Sequence, residues 1–118
     1  MDAFTQAYIT AMFFTEEGPD NLGNAGMSEI STKLMEQITQ DCIDFQGQAG
    51  DLISSDNCNY TGCSSIEYAG HDFWLTRNGH GCGFWDGDWK EPAATKLTNL
   101  AEQFGQMEVY LGNDGKIY

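Results

Sequence analysis

The residues best equipped for chemistry crowd into one stretch, GHDFWLTRNGHGCGFWDGDW, positions 70–89. Both histidines of the chain, its only arginine and all three tryptophans fall within it. A histidine beside a carboxylate has the makings of a general base, and His71 with Asp86 is the pair offered here. A nucleophile would have to come from Cys82 or Thr76, candidates by proximity alone. Nothing in the chain matches a nucleophile elbow, a Walker loop, HExxH or a paired-carboxylate pattern. Catalysis by His71 and Asp86 is therefore the alternative expectation. A second alternative is a ligand site built from His71, Asp72, Arg77 and His80. Trp74 and Trp85, with Arg77 and His80, have the amphipathic character of a binding surface. Against this, tryptophans in so small a chain most often fill the core, and Arg77 has many carboxylates with which to pair internally.

The elements that must position these groups read as a hairpin. DFWLTR has strand character, Asn78-Gly79 is a hairpin signal, and HGCGFWD returns. With Asn78-Gly79 as the whole loop, Arg77 faces His80, Leu75 faces Cys82, Phe73 faces Phe84 and His71 faces Asp86. Asp72, Trp74, Thr76 and Trp85 then share the opposite face. With a four-residue loop, NGHG, Trp74 pairs with Trp85 and the His71–Asp86 pair dissolves.

Around the hairpin the periodicity predicts helices. Residues 3–15, AFTQAYITAMFFT, place Phe4, Tyr8, Ala11 and Met12 on one side of a helix, although their β-branched and aromatic content also suits a strand. EEGPDNLGNAG breaks the chain at Gly18-Pro19. From an N-cap at Ser28, Ile30, Leu34, Ile38, Cys42, Phe45, Ala49 and Leu52 recur every three or four residues, the apolar face of a long amphipathic helix. Opposite them stand Glu29, Glu36, Asp44 and Asp51. SSDNCNYTGCSS is a polar loop. Residues 91–104 form a further helix, with Pro92 in its first turn, Ala94, Leu97, Ala101 and Phe104 buried, and Gly105 at its end. MEVYLGNDGKIY closes as a short hairpin around Asn113-Asp114-Gly115. The order is α-α-β-β-α-β-β, an α+β fold in which a small antiparallel sheet of two hairpins packs against about three helices. The chain, 1–118, is expected to be a single acidic domain.

Charge is the strongest global property. Eighteen acidic residues against five basic ones leave −13, with −9 carried by residues 1–59 and −4 by residues 60–118. Such a chain is repelled by nucleic acid and anionic lipid and attracted to basic proteins. No apolar run reaches the ~20 residues of a membrane span, and AYITAMFF lacks the basic flank of a signal peptide. Cys42, Cys58, Cys63 and Cys82 lack zinc-site spacing, so no metal and no cofactor is expected. Cys58 and Cys63 bracket NYTG and could be bridged in an oxidising compartment.

AGHDFWLTRNGHGCGFWDG and the final VYLGNDGKIY resemble a family of small acidic proteins encoded by tailed bacteriophages. That family's motif reads AGHDFWLTRNGHGAGFWD and its end resembles YVGDDGKIY. The likeness runs through about residues 27–118 and is almost letter for letter over 69–86. The Cys58–Cys63 loop resembles an insertion, and DWKEPAATKLTNLAEQFG resembles the family's last helix with a modified entry. Cys82 stands where the family carries alanine, which argues against a cysteine nucleophile there. The resemblance implies phage origin and action in the host bacterial cytoplasm; the family has no settled activity, so no catalytic role carries across.

The leading expectation is thus an acidic binding protein that occupies a host protein with a basic surface, without contacting nucleic acid or membrane itself. Its expected binding residues are Glu29, Glu36, Asp44, Asp51, Trp74, Arg77, His80 and Trp85. Mimicry of DNA is a weaker form of this idea. Four acids spread over about 33 Å of helix are several times sparser than duplex charges, one per about 1.7 Å. Glu16, Glu17, Asp20 and Asp56 would have to join them.

Overall fold

Ser64 begins the helix that decides the architecture. Its hydroxyl oxygen accepts the backbone N–H of Glu67 at 3.1 Å, and the Glu67 carboxylate takes the Ser64 O–H in return. This Ser-x-x-Glu exchange satisfies an amide that a helix start leaves orphaned. The computed structural model describes residues 1–15, 22 and 25–118. It contains four α-helices: α1 (Ala3–Thr15), α2 (Thr32–Ala49), α3 (Ser65–Arg77) and α4 (Ala93–Gln103), with short 3₁₀ turns at Met27–Glu29, Gly50–Ile53 and Ser55–Asn57. Glu16, Glu17, Asp20 and the Gly18-Pro19 break lie outside the described residues.

The expected α+β fold is overturned. Residues 72–77, assigned above to the first strand of a hairpin, are the second half of α3. Among the described residues β-structure is limited to isolated bridges, Ile30 with Ile117, Cys58 with Trp89 and Leu111 with Ile117, and no sheet forms. Asn78-Gly79, the supposed hairpin loop, stops a helix instead. The N–H of Gly79 returns to the Thr76 carbonyl and that of His80 to the Leu75 carbonyl, while Gly79 adopts φ +67°. These are the paired bonds of a Schellman C-terminus, which needs a left-handed residue just past the helix end, as the hairpin turn also does. Neither hairpin register therefore exists.

The other helices follow their periodicity. In α2, Leu34, Ile38, Cys42, Phe45 and Ala49 are buried. The N-cap is Ser31, whose hydroxyl accepts the Leu34 N–H, rather than Ser28. Gly50, at φ +52°, ends α2 before Leu52. In α4, Ala94, Leu97 and Ala101 are buried and Gly105 follows the end at φ +73°. The C-terminal hairpin shrinks to a tip in which Tyr110 and Tyr118 exchange backbone hydrogen bonds, each 3.0 Å. Ile117, fully buried, also ties this tip to the start of α2.

The core is an aromatic column. Phe73 of α3 stacks on Phe45 of α2 at 4.2 Å between centroids, and Phe45 stacks in turn on Phe4 and Phe84, each at 5.7 Å. Each such pair contributes about 0.5–1.5 kcal/mol beyond area burial. α3 lies against α1 so closely that a Cβ on Gly70 would meet the Phe4 carbonyl oxygen at 2.1 Å. From Ala69 to Arg77 only His71 is not buried, so α3 is surrounded on nearly every side. The segment after α3 folds back over it: the Phe84 N–H bonds the Thr76 hydroxyl at 3.1 Å, and a Cβ on Gly83 would strike that hydroxyl.

Candidate functional site

The motif's chemistry-bearing groups occupy two places on α3, its middle and its carboxyl end. At the carboxyl end Arg77 is buried and heavily engaged. Its Nε donates to the Gly105 carbonyl at 2.8 Å and Nη2 to the Phe104 carbonyl at 3.1 Å. Nη1 donates to the Tyr8 hydroxyl at 3.2 Å and to Asp41 at 2.9 Å. The guanidinium also lies over the rings of Phe73 and Phe104. Arg77 thus fixes the end of α4 to α1, α2 and α3. Burial pushes the Tyr8 phenol well above its ordinary range even with Arg77 beside it.

At the middle of α3 His71 is half-exposed. Its Nδ1 lies 3.0 Å from Oδ1 of Asp72, whose carboxylate is fully enclosed and accepts the Trp89 indole N–H at 2.9 Å through its other oxygen. Burial raises the Asp72 pKa, against the lowering effect of the His71 and Trp89 hydrogen bonds. The His71 ring is held from the side as well: it stacks on Tyr68 at 5.6 Å, and Tyr68 stacks on Tyr60 at 4.2 Å. Tyr68 donates its hydroxyl to Asp88, and burial with that bond lifts its pKa far above normal. Tyr60, Tyr68, His71 and Glu67 form one wall of a groove of about 510 Å³, faced by Ala7 and Thr10 of α1.

The remaining expected site residues scatter. Asp86 does not pair with His71. It is exposed, and its carboxylate accepts the Gly83 N–H at 3.1 Å, closing a turn. Trp74 is no surface residue; it is fully buried, with its indole N–H on the Thr15 hydroxyl at 2.7 Å. His80 is exposed beyond the helix stop and stacks on Trp74 at 6.2 Å. Trp85 is 54% exposed. His71, Asp72, Arg77 and His80 therefore do not converge on one pocket.

The acidic stripe is also shorter than expected. Glu29 sits in the 3₁₀ turn before α2, where its carboxylate is occupied by the Gly26 N–H and the Ser28 hydroxyl. Asp51 lies in the turn after Gly50. Only Glu36 and Asp44 remain on the exposed side of α2, about 12 Å apart along its axis. A second concentration of acid stands around the amino half of α3 and the segment after it. Glu67, Asp72, Asp86 and Asp88 act there on the Cys58, Cys63 and Cys82 thiols, whose pKa values are raised by burial first and these carboxylates next. All four cysteines are free thiols.

Comparison with known proteins adds no relative. No family model, no curated protein and no solved structure matches the chain.

Sequence reasoning missed Glu67, Tyr60, Tyr68, Asp88 and Trp89 as neighbours of His71. Ser64-x-x-Glu67 was the available signal. As a capping box it places Tyr68 and His71 three residues apart on one helical face. The pairing of Trp89 with Asp72 has no such local signal. Among the described residues no cluster of side chains has the makings of a metal site, and no helix is long and apolar enough to cross a membrane.

Proposed function

We propose that the chain is a phage-encoded acidic binding protein that engages a basic surface of a host protein in the bacterial cytoplasm, such as one that holds nucleic acid or serves in defence. One observation carries the reading. Among the described carboxylates only Asp41 and Asp72 lie within ion-pair distance of a basic side chain, and both of these are buried. The exposed ones, including Glu36, Asp44, Asp51, Glu67 and Asp86, keep their charge available for a partner. Phage origin and host setting rest on the motif resemblance. DNA mimicry loses support, because the aligned stripe on α2 reduces to two acids.

The test is capture of basic proteins from bacterial lysate at low and high salt. Exposed charges are screened by salt, so binding should fall steeply as salt rises. A triple variant, Glu36→Gln with Asp44→Asn and Asp51→Asn, should weaken it if α2 is the contact, and Glu67→Gln with Asp86→Asn if the α3 side is. Salt-insensitive capture that is lost in Trp85→Ala would replace the charge reading with an aromatic interface.

A further inference from the structure

The groove beside His71 has a shape and a charge that together define a ligand. One wall is a stack of nearly parallel rings, Tyr60 on Tyr68 and Tyr68 on His71, which cover one another and leave the outer face of the exposed Tyr60 at the end of the stack. The facing wall, from α1, presents Ala3, Gln6, Ala7 and Thr10 across a groove of about 510 Å³, room enough for a flat group. No lysine or arginine lines the groove, whereas the Glu67 carboxylate does. Two further carboxylates stand behind the rings, Asp72 bonded to His71 and Asp88 bonded to the Tyr68 hydroxyl. A phenol that donates to a carboxylate has an electron-richer ring, a better platform for a cation. An anion would find only repulsion here. Glu67 offers an acceptor for in-plane N–H groups.

We propose that this groove binds a guanidinium group, laid flat on the outer face of Tyr60 at the end of the ring stack with its edge N–H groups on Glu67. A guanidinium is planar, permanently charged and equipped with donors in its own plane, so it uses both the ring face and the in-plane acceptor. A spherical ammonium would use the charge alone. The group can arrive on a free alkylguanidine or as an arginine side chain in a peptide; the recognition chemistry is the same. The proposal is independent of the macromolecular reading, since small ligands at constant ionic strength leave long-range charge attraction unchanged.

The experiment is an NMR titration of the whole protein, following the His71 and Tyr60 ring signals. Butylguanidinium is compared with butylammonium and with benzoate at matched ionic strength. Saturable shifts confined to the groove are expected for butylguanidinium, weaker binding for butylammonium and none for benzoate. Glu67→Gln and Tyr60→Leu each alter an exposed residue. Each should weaken butylguanidinium binding about two- to fivefold, the worth of one exposed cation–π or charge contact, Glu67→Gln without changing Tm. Acetyl-Gly-Arg-Gly-amide separates the sources. Tighter binding than butylguanidinium assigns the groove to a peptide arginine; binding of butylguanidinium alone assigns it to a free guanidine. Shifts that do not saturate, that are equal for the two cations, or that persist unchanged in Glu67→Gln overturn the proposal.

Discussion

The middle and the carboxyl end of α3 use the same kinds of side chain for opposite purposes. At the carboxyl end a cation, Arg77, is sealed among Asp41, Tyr8 and two carbonyls. At mid-helix the sealed group is an anion, Asp72, and His71, bonded to it, is half-exposed. The sealed end consumes nearly all its hydrogen-bonding capacity internally. The open site keeps the Glu67 carboxylate, bonded only to Ser64, and the Tyr60 ring exposed. A charged motif residue is thus informative about function only once its partners are known. Arg77, the most conspicuous charge in the motif, is a tie between helices; the less conspicuous Glu67 stands at the groove.

Substitutions can break this contrast or sharpen it. The largest effect is expected from Arg77→Met, which strands Asp41 in a buried site and frees two carbonyls. Removing one partner of a buried pair costs about 3–5 kcal/mol, measurable as a drop in the urea midpoint. A loss below about 1 kcal/mol would place Arg77 among surface pairs. Next comes Gly70→Ala, where α3 touches the backbone of α1. The added methyl collides with the Phe4 backbone rather than with a movable side chain, and overpacking of this kind costs about 1–3 kcal/mol.

Asp72→Asn probes the open site through pH. Folding raises the Asp72 pKa by burial, so its contribution is fully present at acid pH and fades as pH rises through the raised folded-state value. Asparagine can still accept the Trp89 N–H but cannot ionise. Urea unfolding across the acid-to-neutral range should show the wild type losing ground to the variant as pH rises. If it gains ground instead, the contact with His71 outweighs burial, and Asp72 belongs with the stabilising anions. The smallest effect on stability is expected from Glu67→Gln, which keeps a side chain able to serve Ser64. Its unfolding free energy should stay within about 0.5 kcal/mol of wild type, checked by thermal melting.

What could be read in advance depended on how each helix is buried. α2 and α4 each bury one stripe and expose the rest, so Leu34, Ile38, Phe45, Leu97 and Ala101 announce themselves by spacing. α3 is enclosed almost all round. Phe73, Trp74, Leu75 and Thr76 are consecutive and all buried, which erases helical periodicity and imitates a strand. Asn78-Gly79 then reinforced the error, since one glycine conformation serves both a hairpin and a helix stop. The site was legible only in that His71 stood among the candidates; its expected partner, Asp86, lies elsewhere and Asp72 takes its place. The setting of His71 and Asp72 was not legible, because Tyr60, Asp88 and Trp89 reach them across long sequence separations that no local pattern encodes.

Of the three indoles, two are enclosed and hydrogen-bonded while Trp85 stands in solvent beside Asp86. Collisional quenching of fluorescence should therefore act mainly on this one ring. Cesium, drawn in by neighbouring carboxylates, should extinguish its emission more efficiently than iodide, with neutral acrylamide as the reference. The molecule thus carries an optical gauge of its own local potential, readable before any partner is in hand.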